Sequence, residues 1–404
     1  MKFILLFFFP LGLFAGGFDV NLQGIRQQGM GHTGTGLLQG ASNLFFNPGS
    51  ATFLKGKFQF QGGVNVSAFN AVYYDPISGI TARTKDRYLV PFTLYANVRL
   101  YKGLTLGMAV YDPYGTDIYW DDNWKGRFLV QDVSVKTTHY QPTLSLALGK
   151  KVGIGLGFIY STGSAGFSRD IPVTSAEGAR SYINCSGSTS ATGVNAGIFY
   201  KPTEKWNFGI SYRSGMKYKL DNGDVDIIVP ETFRSLFPSN LKFATTVPVP
   251  DVVNFGVSAR FSKRFVMAAD VNYQTWSVYR RLNIDFNNEN GVISDISQIH
   301  ECRNTTSVRI GAQYTQSCCL TFRAGVAYEQ SPVNRNFYFP DSPDSDRFTF
   351  HGGFTYDFDD HWSIDLAAQL IEGRQIEGNY SPIDFRGLYK TRTIVGSGGI
   401  TYTF

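Results

Sequence analysis

The chain has 404 residues, of which 17% are charged, 15% aromatic and 43 glycine, with a formal net charge of +5. Soluble domains average about 25% charged residues, so this composition leans away from an ordinary soluble domain. The positive charge is spread along the chain, without the basic cluster that grips nucleic acid.

Lys2 is followed by an apolar run from Phe3 to Ala15, shorter than the roughly 20 residues of a membrane-spanning helix. Small residues Ala15-Gly16-Gly17 follow, so residues 1–17 read as a secretory signal. No later stretch approaches a spanning helix. Residues 18–56 are rich in glycine (Gly24, Gly29, Gly31, Gly34, Gly36, Gly40) and lack strand alternation. A segment this short does not fold alone; before a barrel it either trails free or packs in the lumen as a plug. Its Asn47-Pro48-Gly49 is a turn signature.

From residue 57 to 404 the pattern has period two, the mark of strands with one apolar and one polar face. Tyr140, Leu144, Leu146 and Leu148 oppose His139, Gln141, Thr143 and Ser145. Trp206, Phe208, Ile210 and Tyr212 oppose Asn207, Ser211 and Arg213. Trp362, Ile364, Leu366, Ala368 and Leu370 oppose Asp365 and Gln369. The chain closes with Ile400, Tyr402 and Phe404 against Thr401 and Thr403. Short turns (Gly149–Lys151, Lys201–Lys205, Phe261–Arg264, Ser317–Cys319, Asp357–His361) alternate with long connections, among them Pro113–Thr137, Thr162–Thr192 and Asp221–Pro250. Together these predict an all-β transmembrane antiparallel β-barrel of about fourteen strands in the bacterial outer membrane. The strand ending at Phe404 is expected to be read by the barrel-assembly machinery.

Cys185, Cys302, Cys318 and Cys319 allow three pairings, and sequence does not choose between them. No zinc spacing surrounds them, so they read as spare or facultatively oxidised thiols, with no metal or cofactor expected. His32, His139, His300, His351 and His361 accompany no nucleophile motif, so an enzyme is not expected.

Several pieces resemble the FadL/TodX family of outer-membrane transporters, in the family's order. They are Phe46-Asn47-Pro48-Gly49, Pro113-Tyr114-Gly115 with Trp124-Lys125-Gly126-Arg127, Tyr212-Arg213-Ser214, Thr275-Trp276-Ser277, Phe322–Gly325 with Ser331-Pro332-Val333, and Pro343–Arg347. In the family's hatch motif Gly49 stands where an alanine is usual. The resemblance implies that residues 18–56 are an N-terminal hatch plugging the lumen, with uptake of long-chain fatty acids or other hydrophobic compounds, gating by the hatch, and lateral exit through the barrel wall at the third strand into outer-membrane lipid. The alternatives are a monoaromatic hydrocarbon channel and, further off, a general porin.

Pro113 and Gly115 either weaken the third strand's ladder or begin an outer loop; the resemblance favours a gap. Asn47, Pro48 and Gly49 become the movable piece of hatch. Arg303 shares parity with Thr305, Ser307 and Arg309 and should face the lumen. It aligns with a family basic residue that meets the carboxylate, and Arg169 is a looser match to a second. Forked guanidinium donors suit a carboxylate. Pro230 at a first helical position, with Phe233, Leu236 and Phe237 at i, i+3 and i+4, reads as an amphipathic loop helix able to collect apolar ligand.

Overall fold

The structure is a computed structural model describing residues 19–173, 180–287 and 293–404; the expected signal, residues 1–17, lies outside them. The alternation organises the chain into a closed antiparallel barrel of 14 strands. In chain order the wall strands are β1 (Phe58–Tyr74), β2 (Phe92–Tyr101), β3 (Leu104–Tyr111), β4 (Asp132–Leu148), β5 (Val152–Ile171), β6 (Ser181–Tyr200) and β7 (Trp206–Arg213). They continue with β8 (Val252–Arg260), β9 (Phe265–Gln274), β10 (Thr305–Thr315), β11 (Leu320–Glu329), β12 (Arg347–Asp357), β13 (Trp362–Gly373) and β14 (Phe385–Thr403). Each pairs with the next, and β14 returns to β1 from Gln59↔Thr403 to Tyr74↔Leu388. Closure leaves no edge strand, as lipid demands.

Outward side chains such as Ile210, Val271, Ile310, Val326, Phe350 and Ile394 are exposed on the bare barrel, where a bilayer would cover them. Aromatics ring both ends: Tyr200, Trp206, Tyr314, Tyr356 and Trp362 toward the short turns, Tyr140, Tyr160, Tyr212 and Tyr273 toward the long connections. The inward face buries Gln141, Asn195, Asp270, Arg309, Arg323, Glu329 and Asp365.

Crossing a membrane takes about 9–11 strand residues. β5 and β6 have 20 each, so they rise beyond the wall as a hairpin. This corrects the reading of Thr162–Thr192 as a loop, since the ladder runs from Val152↔Tyr200 to Ile171↔Ser181. The run Gly163-Ser164-Ala165-Gly166 and the facing Ser186-Gly187-Ser188 have little polarity contrast between faces, so the strand period is hidden there.

Residues 22–52 lie almost wholly buried inside the barrel. They form α1 (Ile25–Gln28), α2 (Asn43–Phe46) and a 3-10 turn (Pro48–Phe53). Glycines on the inward face of the wall make room for this backbone. A Cβ on Gly209 would sit 1.9 Å from the Thr35 carbonyl oxygen, on Gly311 2.1 Å from that of Met30, and on Gly325 2.2 Å from the Gly31 nitrogen. Polar ties fix the rest. Asp270 Oδ2 accepts from the Gly34 and Thr35 amides, both at 2.9 Å. Arg26 pairs with Asp365 at 2.8 Å, and Gln141 donates to the Leu44 carbonyl at 2.9 Å.

Candidate functional site: an outer cavity, a wall break and the segment between them

On the long-connection side an apolar cavity of about 1000 Å³, partly continuous with solvent, lies against the inner faces of β4, β5 and β6. Val133 and Val135, Ala165 and Phe167, and Cys185 and Gly187 face it from these strands. The long connections complete it with Tyr218, Leu220, Phe243, Val247, Val249, Tyr279, Ile284 and Asp341. Ladder pairing joins β6 to β7 up to Arg213↔Asn195 and resumes with the outer strand Met216–Ile228 at Asp224↔Ser186. On this side of β6 no ladder spans 187–194, which are tied across by the Ser214 amide on the Val194 carbonyl and the Thr189 hydroxyl on the Lys219 carbonyl, so the wall is loosened beside the cavity.

Tyr114 closes the cavity's inner end and also belongs to a second opening. β3 stops at Tyr111, and the chain rejoins β4 only at Gly115↔Lys136, one residue out of register with Tyr111↔His139. On its other side the last β2 pair is Thr93↔Tyr111. Backbone bonding resumes at the Lys85 amide to the Tyr119 carbonyl, 2.7 Å. Between these points the gap is crossed by Arg87, whose guanidinium meets Asp117 at 2.5 Å and Asp132 at 3.1 Å. A mixed polar and apolar chamber of about 810 Å³ backs this gap, lined by Leu89, Gly115, Asp117, Ile118, Arg347 and Val395.

The start of the described chain lies across the break. Asp19 bridges Tyr114, the Val20 amide donates to the Pro113 carbonyl at 2.9 Å, and Gln23 Nε2 donates to the Asp112 carbonyl at 2.9 Å. Asn21 anchors this strip, donating to Glu329 at 2.7 Å and accepting from Arg309 at 3.0 Å, while Arg347 holds the other Glu329 oxygen at 2.7 Å. Deeper, the Arg213 guanidinium stacks 3.9 Å over the Phe45 ring and donates to the Phe45 carbonyl at 2.7 Å.

A family model described as outer membrane protein transport protein (OMPP1/FadL/TodX) matches residues 12–404. The chain belongs to this family. A long-chain fatty acid transport protein of Escherichia coli O6:H1 is 22% identical, covering 89% of this chain and 88% of that relative. Outer membrane protein P1 of Haemophilus influenzae is 27% identical over 46% of this chain and 38% of its own length. Among solved structures, a Pseudomonas aeruginosa FadL homologue superposes with a TM-score of 0.84 at 21% identity, covering 96% of this chain and all of that one. The Pseudomonas putida toluene transporter TodX gives 0.73 at 18% identity, covering 96% and 99%. The family consists of outer-membrane transporters and channels, not enzymes.

The expected residues fall in four places, the last of them occupied by Arg303 alone. Pro113 and Gly115 lie at the wall break itself. Asn47, Pro48 and Gly49 lie deep in the lumen: Asn47 Nδ2 donates to the Thr35 and Ile198 carbonyls at 2.9 and 3.0 Å, and a Cβ on Gly49 would come within 2.6 Å of the Gly153 carbonyl. Phe233 and Phe237 pack into the apolar cluster that includes the cavity residues Leu220, Phe243 and Ile284, while Leu236 is exposed. The helix itself is only Glu231–Arg234, with Pro230 as its N-cap rather than its first residue.

Arg169, on the same face of β5 as Phe167, stands at the cavity's outer rim, where its cross-strand neighbourhood includes Cys185. Arg303 precedes β10. Its amide donates to the Pro332 carbonyl at 3.0 Å and its guanidinium reaches the Val333 carbonyl at 3.5 Å, which ties it to a neighbouring loop. Neither arginine lines the cavity.

His139 meets the Tyr218 hydroxyl at 3.2 Å, and His351 the Gln28 carbonyl and Thr349 hydroxyl at 2.8 Å each; both are lumen ties. The four cysteines are free thiols, Cys185 in the cavity wall and the Cys318 and Cys319 sulfurs 3.0 Å apart on an exposed turn.

Val20, Gln23, Tyr218 and Asp341, and the wall glycines apart from Gly325, join the site without belonging to any of the motifs above. Only the glycines carried a local signal: each replaces a polar residue at a lumen-parity position.

Proposed function

We propose that this protein takes hydrophobic compounds from outside the cell into the outer membrane. Residues 18–56 act as its hatch, and the break at Asp112–Tyr114 is its lateral exit. The observation that carries this reading is the alignment of an apolar cavity, Tyr114, the strip Asp19–Gln23 and the wall break along one path. Cargo enters between β6 and Met216–Ile228, where the wall lacks a ladder, and Phe233, Leu236 and Phe237 contribute the apolar roof. Transfer is driven by partition of apolar surface, about 0.8 kcal/mol per buried CH₂. It moves on when Asp19–Gln23 gives up its bonds to Asp112 and Pro113. The Asn47-Pro48-Gly49 turn is the hatch's pivot against β5 and β6.

An anionic head entering this way meets Arg169 at the rim, so Arg169 is the better placed of the two arginines for a carboxylate, and Arg303 contributes through loop packing. Relatives named as long-chain fatty acid transport proteins and as toluene transporters bracket the cargo class. A passive porin fits poorly with a lumen filled by hydrogen-bonded chain.

Uptake of radiolabelled oleate and toluene by cells carrying the wild type, Arg169→Ala or Arg303→Ala tests this. Uptake of at least one compound above empty-vector cells is expected, with oleate but not toluene reduced in Arg169→Ala. No uptake of either compound by correctly inserted wild type would sink the reading.

A further inference from the structure

Tyr114, Tyr218 and Asp341 bring polar groups to the outer cavity, and Asp341 is the one formally charged side chain among its lining residues. It is acidic, not basic, and only 4% exposed. Its Oδ1 accepts from the Ser342 hydroxyl at 3.0 Å, and its Oδ2 faces His300 Nε2 at 3.8 Å, too far for a hydrogen bond. His300 is itself stacked on Tyr279, with ring centroids 4.6 Å apart.

Four of the cavity's other hydroxyls are committed elsewhere. Thr137, Thr189 and Thr245 donate to the carbonyls of Tyr114, Lys219 and Asn283. The Tyr218 hydroxyl is shared between Ser161 at 2.6 Å and His139 at 3.2 Å.

We propose that Asp341 is the polar seat of this cavity and selects hydrophobic molecules bearing a neutral hydroxyl over those bearing a carboxylate. This rests on the transport reading above and narrows its cargo. A second carboxylate cannot share this desolvated point with Asp341 while both are ionised, and a hydrocarbon offers the Asp341 carboxyl no hydrogen bond beyond those from Ser342 and the local backbone. A hydroxyl on an aliphatic or aromatic body satisfies it while the body fills the apolar walls. Burial pushes the Asp341 carboxyl up and the His300 imidazole down from their ordinary values. The same desolvation that disfavours charge on these two groups disfavours a carboxylate brought in beside them.

The test is equilibrium binding of decanol, decanoate and decane to the purified full-length protein in detergent at neutral pH, for wild type, Asp341→Asn and Asp341→Leu. Taking each ligand's ratio between proteins cancels its partition into micelles. Decanol should bind wild type about five- to tenfold more tightly than Asp341→Leu. Decane should be indifferent or favour the leucine, and decanoate should gain on removal of the carboxyl. Asp341→Asn, which keeps an acceptor, should retain most of the decanol preference and shows that the seat survives substitution.

Equal decanol affinity in wild type and Asp341→Leu, or decanoate binding weakened by that change, overturns the assignment. Failure of the transport reading is distinct: none of the three ligands would bind any protein. If all three bind without discrimination, Asp341 alone is excluded.

Discussion

The lumen and the outer cavity bury their polar groups by opposite rules. In the lumen belt, the N-terminal segment meets the wall through backbone-to-backbone approaches at Gly209, Gly311 and Gly325. Its polar atoms are paired repeatedly, with Asp270 on two amides and Arg26 on Asp365. In the cavity, large side chains from loops and strands enclose space rather than fill it, and little of the lining is polar. The first arrangement resists displacement, because shifting it exposes many buried donors at once. The second tolerates varied occupants, because apolar contact is non-directional. On the transport reading proposed above, the first would serve as a barrier and the second as a receptor for apolar cargo.

The sharpest way to break this contrast is to fill the belt. Gly325→Leu and Gly209→Leu each drive a side chain into backbone of the N-terminal segment that lies about 2 Å from the new Cβ. Overpacking of this kind costs about 1–3 kcal/mol, and the segment rather than the ladder should yield. Planar-bilayer recordings should then show persistent ion conductance where the wild type is nearly silent. Silence from correctly folded variants would mean that the belt is not the seal.

Next in size is a lock on the exit. A Cβ on Gly115 would touch the Val20 side chain, 3.7 Å from its Cγ2, which puts the two positions within reach of an engineered disulfide. In a Cys318→Ser, Cys319→Ser background, Val20→Cys with Gly115→Cys should abolish cargo uptake when oxidised and restore it on reduction. Uptake that persists through complete cross-linking would place the exit elsewhere.

Much of this was legible in sequence because lipid imposes a strict code. The five short turns and the alternation flanking them mark hairpins at Lys150, Lys201, Phe261, Ser317 and Asp357 that the structure contains. The code weakens outside the bilayer. Ser164 and Ser188 alternate with glycines and carry no contrast, so the β5–β6 hairpin looked like a loop. Arg303 had lumen parity on paper, but β10 begins at Thr305, and parity has no meaning beyond a strand's end. The cavity was least legible, since Tyr218, Phe243 and Asp341 come from connections whose meeting depends on tertiary packing.

A smaller effect should follow from Arg213→Leu. The change removes a charge-assisted bond to the Phe45 carbonyl and a cation stacked at 3.9 Å. It also relieves the cost of burying that cation, so the net loss should be about 1–2 kcal/mol. Hydrogen exchange at residues 43–47 should quicken while that of β10 and β11 is unchanged. Equal protection in both forms would show that glycine contacts alone hold the segment.

The mildest change probes the outer loops. Asp75 accepts from Lys125 at 2.7 Å, Ser78 at 2.6 Å and the Ile77 amide at 3.0 Å. The Lys125 ammonium, with these hydrogen bonds, holds its carboxyl well below the ordinary range. A depressed carboxylate contributes stability that is fully present above its unfolded value, about pH 4, and fades as pH falls toward the folded value. The contact pins the loop after β1 beside Trp124, which stacks on Trp120 with centroids 4.5 Å apart. Proteolysis of residues 76–87 should therefore quicken below about pH 4 in the wild type. It should be faster at neutral pH, and nearly independent of acid, in Lys125→Ala. Because neither the belt nor the cavity contains this pair, ion conductance and cargo binding should stay level through the same titration; a conductance that rose with loop cleavage would mean that the outer loops share the work of sealing with the glycine belt.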